Sequence, residues 1–145
     1  MRKGSISSYV VVAAAAALLS VAATSAIRTS DAQPAAAPPA PLLTQPLADL
    51  PGREVRMSLL DRAPQASSPP HRHPGHHTFG YVVEGTYEFA VDGAAPRTLK
   101  AGEVFYEPPG ALHSTSRNPS TDQRTKILVF MVADQKNPST VAEKQ

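Results

Sequence analysis

The sequence predicts an all-β protein that folds as one small closed barrel or jelly roll. Between residues 52 and 134, short β-branched and aromatic runs alternate with turn residues about every ten positions, and no helical periodicity interrupts them. Many short strands joined by tight turns are typical of a small sandwich or barrel. A closed form is favoured at this size because it leaves fewer strand edges unpaired.

Seven strands are predicted from these runs, and turn residues separate them. Asp92-Gly93 is a hairpin-turn signal, and a Pro-Pro-Gly turn occupies 108–110. The predicted strands are 53–60, 79–83, 86–91, 95–99, 104–106, 112–116 and 126–132. The other turn signals are Gly85, Gly102 and Asn118-Pro119.

The two ends of the chain differ in composition from this domain. Two basic residues precede an apolar stretch over 9–23 and small residues near Ala26 and Ala32. This pattern is typical of a secretory signal peptide, here residues 1–32, cleaved near 26 or 32. Six prolines between 31 and 51 predict a disordered linker over 33–47. The barrel domain is then predicted over 48–134, followed by a flexible polar tail over 135–145.

Composition argues against several classes of function. Without residues 1–32 the chain keeps 11 basic and 11 acidic residues, so we expect no nucleic-acid partner. The N-terminal apolar stretch is shorter than the roughly 20 residues that span a bilayer, and we expect no stable membrane span after processing. Cysteine is absent, which excludes disulfides and thiolate ligands. The predicted location is periplasmic or secreted.

The five histidines are the most informative residues of the chain. Four of them lie in the heptapeptide 71–77 (His-Arg-His-Pro-Gly-His-His), and the fifth, His113, follows the Pro-Pro-Gly turn. Imidazole is a common ligand of divalent Zn, Fe, Cu and Ni. His71 and His73 are spaced i, i+2, which on an extended segment points both to the same face. The sequence therefore predicts a metal site on a β scaffold.

Two segments around these histidines resemble the paired motifs of the cupin family. Residues 71–75 leading to 81–85 (Tyr-Val-Val-Glu-Gly) resemble the first motif, and residues 102–113 resemble the second. The sixteen residues between the motifs are close to the spacing of small single-domain cupins. The resemblance implies a cupin-type jelly-roll β-barrel with a metal inside. The ligands that it implies are His71, His73 and His113.

The chain departs from the cupin pattern at one ligand position. Cupins usually carry a glutamate after the second histidine of the first motif, with three or four residues between the two. Counting forward from His73 places His77 at that position, whereas counting back from Gly85 places Thr78 there. The register therefore stays open at the sequence level.

His77 is preferred as the inward-facing residue of this pair. Its face of the strand, shared with Phe79, Tyr81 and Val83, is more apolar than the alternative face. Without a carboxylate the ligand set is neutral, similar to the three-histidine iron centres of cysteine dioxygenase and diketone-cleaving cupins, or it becomes a four-histidine set. The predicted metal ligands are His71, His73, His77 and His113.

The other polar and aromatic candidates are expected to have structural roles. His76 is predicted to face solvent, and so are the four strand and turn carboxylates, of which Glu107 has the best position to reach the site. Aromatic residues in strands are core material by default. The carboxylates are Glu84, Glu88, Glu103 and Glu107. The aromatic residues are Tyr81, Tyr87, Phe89, Phe105, Tyr106 and Phe130.

The function expected from these features is that of an exported, metal-dependent, Fe-type oxygenase acting on a small organic substrate. The cofactor is a divalent transition metal, with iron first and Mn, Ni, Cu or Zn as alternatives. The alternative function is non-catalytic metal or small-ligand binding by a periplasmic cupin. Catalytic residues cannot be assigned from the sequence, and a homodimer that pairs through an outer sheet face stays open.

Overall fold

The computed structural model describes residues 40–144, which form two antiparallel sheets packed face to face. Its strands are β1 (Leu43–Pro46), β2 (Arg53–Arg62), β3 (His71–Arg72), β4 (His77–Glu84), β5 (Thr86–Val91), β6 (Arg97–Lys100), β7 (Val104–Glu107), β8 (Leu112–Arg117), β9 (Thr125–Asp134) and β10 (Val141–Ala142). The first sheet has the order β1-β2-β9-β4-β7 and the second β10-β3-β8-β5-β6. The all-β jelly-roll prediction is confirmed.

All seven predicted strands are present, and three short ones were not predicted. Strand β1 lies in the segment predicted as linker and pairs with β2, while β10 lies in the segment predicted as tail and pairs with β3. Strands of two to four residues with no buried apolar position show no alternation in the sequence. The predicted signal peptide lies outside the described residues. Within 40–144, no helix is long and apolar enough to cross a membrane.

The interior of the barrel is filled by inward residues of both sheets. Burial along β9 alternates with period two, the pattern of a strand with one face in the core. Full burial of one apolar side chain stabilises a fold by about 1.5–3 kcal/mol, so this cluster holds the two sheets together. The largest members of the cluster are Val82, Tyr87, Phe89, Leu99, Phe105, Ile127, Val129 and Met131.

Strand β4 turns inward the face that the sequence analysis did not prefer. Its buried residues are Thr78, Gly80 and Val82, and its exposed ones are Phe79, Tyr81 and Val83. The expectation that the His77 face points into the barrel is therefore wrong. Packing explains which face of β4 points inward, because a Cβ atom added at Gly80 would lie 2.0 Å from the Phe105 ring. The core needs a residue without a side chain at this position.

The outward residues of β4, β7 and β9 form an aromatic patch on the outside of the first sheet. Phe79 contacts Tyr106 and Phe130, with ring centroids 5.1 and 6.1 Å apart. The patch borders a surface groove of about 620 Å³. The prediction that all six strand aromatics are core is confirmed for Tyr87, Phe89 and Phe105 and is wrong for Tyr81 and Tyr106. Phe130 is half-buried.

The predicted Asp92-Gly93 hairpin turn is present between β5 and β6. Both residues have positive φ, 49° and 75°, and the Ala94 N–H donates to the Val91 carbonyl at 2.9 Å. These are the features of a type I′ turn. The Asp92 carboxylate also accepts a hydrogen bond from the Leu112 N–H at 2.8 Å. The turn thus fixes the start of β8, one residue before His113.

We expect Gly80→Ala to destabilise the protein by about 1–3 kcal/mol, the usual cost of overpacking a core. The added methyl group meets the buried Phe105 ring, which cannot move without disturbing Phe89, 4.5 Å away. Urea denaturation measures the effect. Gly93→Ala is the contrasting variant: its added Cβ meets nothing within 4 Å but lies at a positive φ, which Gly80 does not have, so its loss of stability measures backbone strain and not overpacking. Equal stability of Gly80→Ala and the parent protein would contradict this packing.

Candidate metal centre

Three of the predicted histidines meet inside the barrel. His71 on β3 and His113 on β8 are directly paired across the sheet, and His73 follows two residues after His71 on the same side. Their exposed fractions are 9, 3 and 6%, respectively. The three rings offer ligand nitrogens that lie within 4.8 Å of one another. Strand pairing therefore builds the cluster that the spacing predicted.

Backbone hydrogen bonds fix the tautomers of His71 and His73. The Nδ1 atom of His71 lies 2.8 Å from the Pro69 carbonyl oxygen, and that of His73 contacts the Ser139 carbonyl oxygen. A carbonyl oxygen can only accept, so each Nδ1 carries the proton and donates it. The Nε2 lone pair of each ring is left free to bind a metal, an arrangement common in metal sites of proteins.

His113 is held by a chain of hydroxyl groups. Its Nε2 atom lies 3.3 Å from the Tyr87 hydroxyl, which in turn hydrogen bonds the Ser116 hydroxyl at 2.7 Å. The Phe89 ring packs edge-on against the imidazole, with centroids 5.1 Å apart. Its Nδ1 atom is buried and has no hydrogen-bond partner among residues 40–144.

A buried carboxyl group completes the cluster. Glu107, the last residue of β7, is 2% exposed, and its two oxygens lie 3.6 Å from His73 Nε2 and 3.3 Å from His113 Nδ1. The expectation that Glu107 is solvated is therefore wrong, although the sequence analysis did name Glu107 as the carboxylate best positioned to reach the site. A period-two signal was available, because Glu107 shares a strand face with the buried Phe105.

The other two first-motif histidines lie apart from the cluster. His77 lies on the outer face of β4, half-buried, and its Nδ1 atom shares a hydrogen bond of 2.8 Å with the Tyr106 hydroxyl. His76 is fully buried, so the prediction that it faces solvent is wrong. Its Nε2–H donates to the Pro138 carbonyl, and its Nδ1 accepts from the Asp134 N–H. Both nitrogens of His76 are thus used in holding the segment after β9.

Burial keeps the cluster uncharged when no metal is bound. Desolvation lowers the pKa of His73 to about 4 and that of His113 to about 3, and it also lowers the pKa of His71. Desolvation likewise raises the pKa of Glu107 to about 8. At neutral pH the metal-free cluster therefore holds three neutral imidazoles and a protonated carboxyl group.

The guanidinium of Arg62 lies beside the cluster, and no sequence pattern singled this residue out. Arg62, the last residue of β2, donates from Nη2 to the hydroxyls of Ser68 and Ser116 at 2.8 and 3.1 Å. Its charge adds to burial in lowering the pKa of His71 and His113. The Arg62 Nε atom is buried and lacks a partner among the described residues.

These donors fit a divalent transition metal. Atoms bound to one ion at about 2.1 Å are separated from each other by roughly 3–4 Å, and the Glu107–histidine distances of 3.6 and 3.3 Å lie in that range. Unpaired buried polar atoms are rare in proteins and call for a partner. Within the cluster they are His113 Nδ1, which lies 3.3 Å from Glu107 Oε1, and Glu107 Oε2, which lies 3.6 Å from His73 Nε2. Imidazole with carboxylate is a donor set for Fe, Mn, Ni, Cu or Zn.

We expect the metal-free protein to be most stable near pH 6.5. Below that pH, histidines of the unfolded chain take up protons, whereas folded His73 and His113 stay neutral down to about pH 4 and 3. The free energy of unfolding then falls as pH drops from about 6.5 to 4, by at most about 1.4 kcal/mol per group and pH unit. Above pH 6.5, the folded state still holds the Glu107 proton up to about pH 8, so stability falls as pH rises.

Urea denaturation with a chelator present measures this profile. Glu107→Gln should remove the alkaline loss and keep the acid one, because only the carboxyl group has been replaced. A profile that is flat between pH 4 and 6.5 would contradict the buried, neutral state of the histidines.

Comparisons with known proteins agree with the fold. Germin-like protein 5-1 of Oryza sativa subsp. japonica is 37% identical over 71 residues, which are 46% of this chain and 32% of that protein. A recombinant oxalate oxidase in complex with glycolate is 28% identical with a TM-score of 0.53, over 61% of this chain and 45% of that one. The chain thus spans about a third of the germin-like relative and under half of the oxidase.

A third similarity concerns the fold alone. An uncharacterized protein with a double-stranded β-helix domain from Klebsiella pneumoniae subsp. pneumoniae has a TM-score of 0.55 at 20% identity, over 77% of this chain and 90% of that one. The family model described as Cupin domain matches residues 58–131, about half of the chain, and this span contains all five histidines and the buried Glu107. With both histidine motifs inside that match and the histidine cluster inside the barrel, this chain belongs to the cupin family.

Proposed function

We propose that this chain is an exported, metal-dependent oxygenase or oxidase that acts on a small organic acid. The observation that carries the proposal is the convergence of three neutral imidazoles and a carboxyl group in the barrel interior. Iron is the first metal to test, with manganese beside it, because both accept nitrogen and oxygen donors. Export rests on the signal-like residues 1–32, with cleavage near 26 or 32.

The surroundings of the cluster favour a small substrate. His71, His73, His113 and Glu107 are each at most 9% exposed, and this enclosure favours a small substrate over a large one. The rings of Phe89 and Phe105 lie 5.1 and 6.5 Å from His113 and exclude water on that side.

The charge beside the cluster favours an anion. The Arg62 guanidinium is held by two serine hydroxyls, and its buried Nε–H has no acceptor within the described part of the chain. A carboxylate bound at the centre would supply one, and charge-assisted hydrogen bonds of this kind are among the strong ones. The oxalate oxidase to which the chain is similar is in complex with glycolate, a two-carbon acid, which supports the same substrate class.

The chain's own residues would prepare the site for turnover. Pro69 and Ser139 hold the ligand tautomers of His71 and His73, and Arg62 would orient the acid. When bound, a divalent metal would supply Lewis-acid polarisation and a common template for the acid and O2. The buried Tyr87 hydroxyl, whose pKa burial raises to about 12, stays protonated and keeps His113 in place.

Metal binding without turnover is the second candidate, and the number of donors favours it. Four buried donor groups are enough to close a tetrahedral site such as structural zinc, which has no open position for a substrate. A six-coordinate ion such as Fe²⁺ or Mn²⁺ would keep positions open at the same donors. The two candidates therefore differ in which metal the protein holds.

We expect His73→Ala to weaken metal binding more than about 100-fold, because it removes a direct bond, whereas loss of an outer hydrogen-bonding partner costs roughly 10–100-fold. His77→Ala is the matched control. It lies in the same motif but on the outer face of β4, and its affinity should equal that of the parent. Competition with a chromophoric chelator measures both. Metal loss in His77→Ala with retention in His73→Ala would reverse the assignment.

We expect protein loaded with Fe²⁺ or Mn²⁺ to consume O2 when given glycolate, oxalate or another two- or three-carbon acid, measured with an oxygen electrode. Ethylene glycol is the uncharged control substrate. Arg62→Gln should raise KM for the acid at unchanged metal content, since its charge orients the substrate. If the protein binds zinc tightly, and the Fe²⁺-loaded and Mn²⁺-loaded proteins consume no O2 with any of these acids, the binding function is favoured instead.

A further inference from the structure

Glu107 occupies a position that a hydrogen-bonding role does not explain. Its two oxygens lie 3.6 Å from His73 Nε2 and 3.3 Å from His113 Nδ1. Normal N–H···O hydrogen bonds are shorter, about 2.7–3.2 Å. Its Oε2 atom and His113 Nδ1 both lack a partner among residues 40–144, although both are buried. Unpaired buried polar groups destabilise the folded state and are rare in proteins, so their presence here indicates a role in binding.

The same distances suit atoms that share one ion. Ligands at about 2.1 Å from a metal lie roughly 3–4 Å apart, too far for a strong hydrogen bond and close enough for a common centre. The free Nε2 atoms of His71 and His73 face the same space. An ion placed there would satisfy both unpaired atoms at once.

We propose that Glu107 is the fourth protein ligand of the metal, supplied by β7 opposite Thr78 of β4. This inference rests on the metal binding of the proposed function. Thr78 and Glu107 are direct cross-strand partners, and both side chains point into the barrel. The resemblance placed a glutamate at position 77 or 78 on β4, and this chain supplies the carboxylate from the neighbouring strand instead.

The relocated carboxylate changes the charge of the centre. Three imidazoles alone leave a divalent ion with its full +2 charge, whereas addition of one carboxylate reduces the total to +1. The neutral ligand set expected from the sequence is thereby replaced by an anionic one. Thr78 Oγ1, buried and without a partner within 40–144, then faces the carboxylate from the adjacent strand.

The test compares Zn²⁺ affinity in three full-length proteins, the parent, Glu107→Gln and Glu103→Gln. Glu107→Gln keeps the size of the side chain and should bind Zn²⁺ more than about 100-fold more weakly, beyond the 10–100-fold expected from loss of an outer hydrogen-bonding partner. Glu103→Gln is the control, since Glu103 is an exposed carboxylate four residues away that accepts a bond from the Lys100 N–H. It should bind like the parent.

Moving the carboxylate from β7 to β4 distinguishes a metal ligand from a residue that only positions the histidines. The double variant Thr78→Glu/Glu107→Thr returns one carboxylate to the same space from β4, and it should recover at least tenfold of the affinity lost in Glu107→Thr alone. A residue that only positioned His73 or His113 would not be replaced in this way. Infrared difference spectra of the parent should also show, on Zn²⁺ addition, loss of a protonated-carboxyl C=O band and gain of carboxylate stretching bands, and both changes should be absent from Glu107→Gln.

Each result has one reading. A loss of affinity in Glu107→Gln that stays within about 100-fold, no rescue by the double variant, or no gain of carboxylate bands in the parent would overturn Glu107 as a ligand while three-histidine binding stands. If Glu107→Gln does not fold, the parent's infrared bands decide the question. A parent protein that binds no Zn²⁺, Fe²⁺ or Mn²⁺ would overturn the proposed function, and the role of Glu107 with it.

Discussion

Desolvation of the donor cluster is the constraint on which the rest of this structure depends. Four ionisable groups are enclosed by the barrel, and enclosure keeps the imidazoles neutral and the carboxyl protonated until an ion arrives. The same enclosure strengthens any electrostatic interaction made there, because the field of an ion or of Arg62 is poorly screened. Burial of unpaired donor groups lowers the stability of the metal-free protein, and binding of an ion to the folded state raises it again.

The segment after β9 is part of the site, although it contributes no donor to it. The carbonyl of Ser139 accepts from His73, and that of Pro138 accepts from the buried His76. Arg56 on β2 donates to the Asn137 carbonyl and to the Ser139 hydroxyl, at 3.2 and 2.9 Å. Strand β10 then pairs with β3 beside His71. The tautomer of a candidate ligand thus depends on residues 137–142, which follow the last long strand.

Much of the fold could be read from the sequence because its signals are local. Alternation over β2, β5 and β9 and the positive φ of Asp92-Gly93 are decided within a few residues, and strand pairing does not change them. The spacing of His71 and His73 likewise predicted that these two share a face, and the resemblance to the cupin motifs implied that His113 meets them. The short strands β1, β3 and β10 left no such signal, because they form only where a longer neighbour offers an edge.

The sequence by itself determined the all-β class and the shared face of His71 and His73, since both follow from local periodicity and spacing, and its resemblance to the cupin motifs implied that His113 joins them. Only the tertiary structure decided which face of β4 points inward, because the Phe105 ring leaves room for no side chain at Gly80. That choice excluded His77, placed Thr78 inside and brought Glu107 across from it. Burial of His76 and the approach of Arg62 were also decided there, by segments distant in the chain whose contacts no local pattern records.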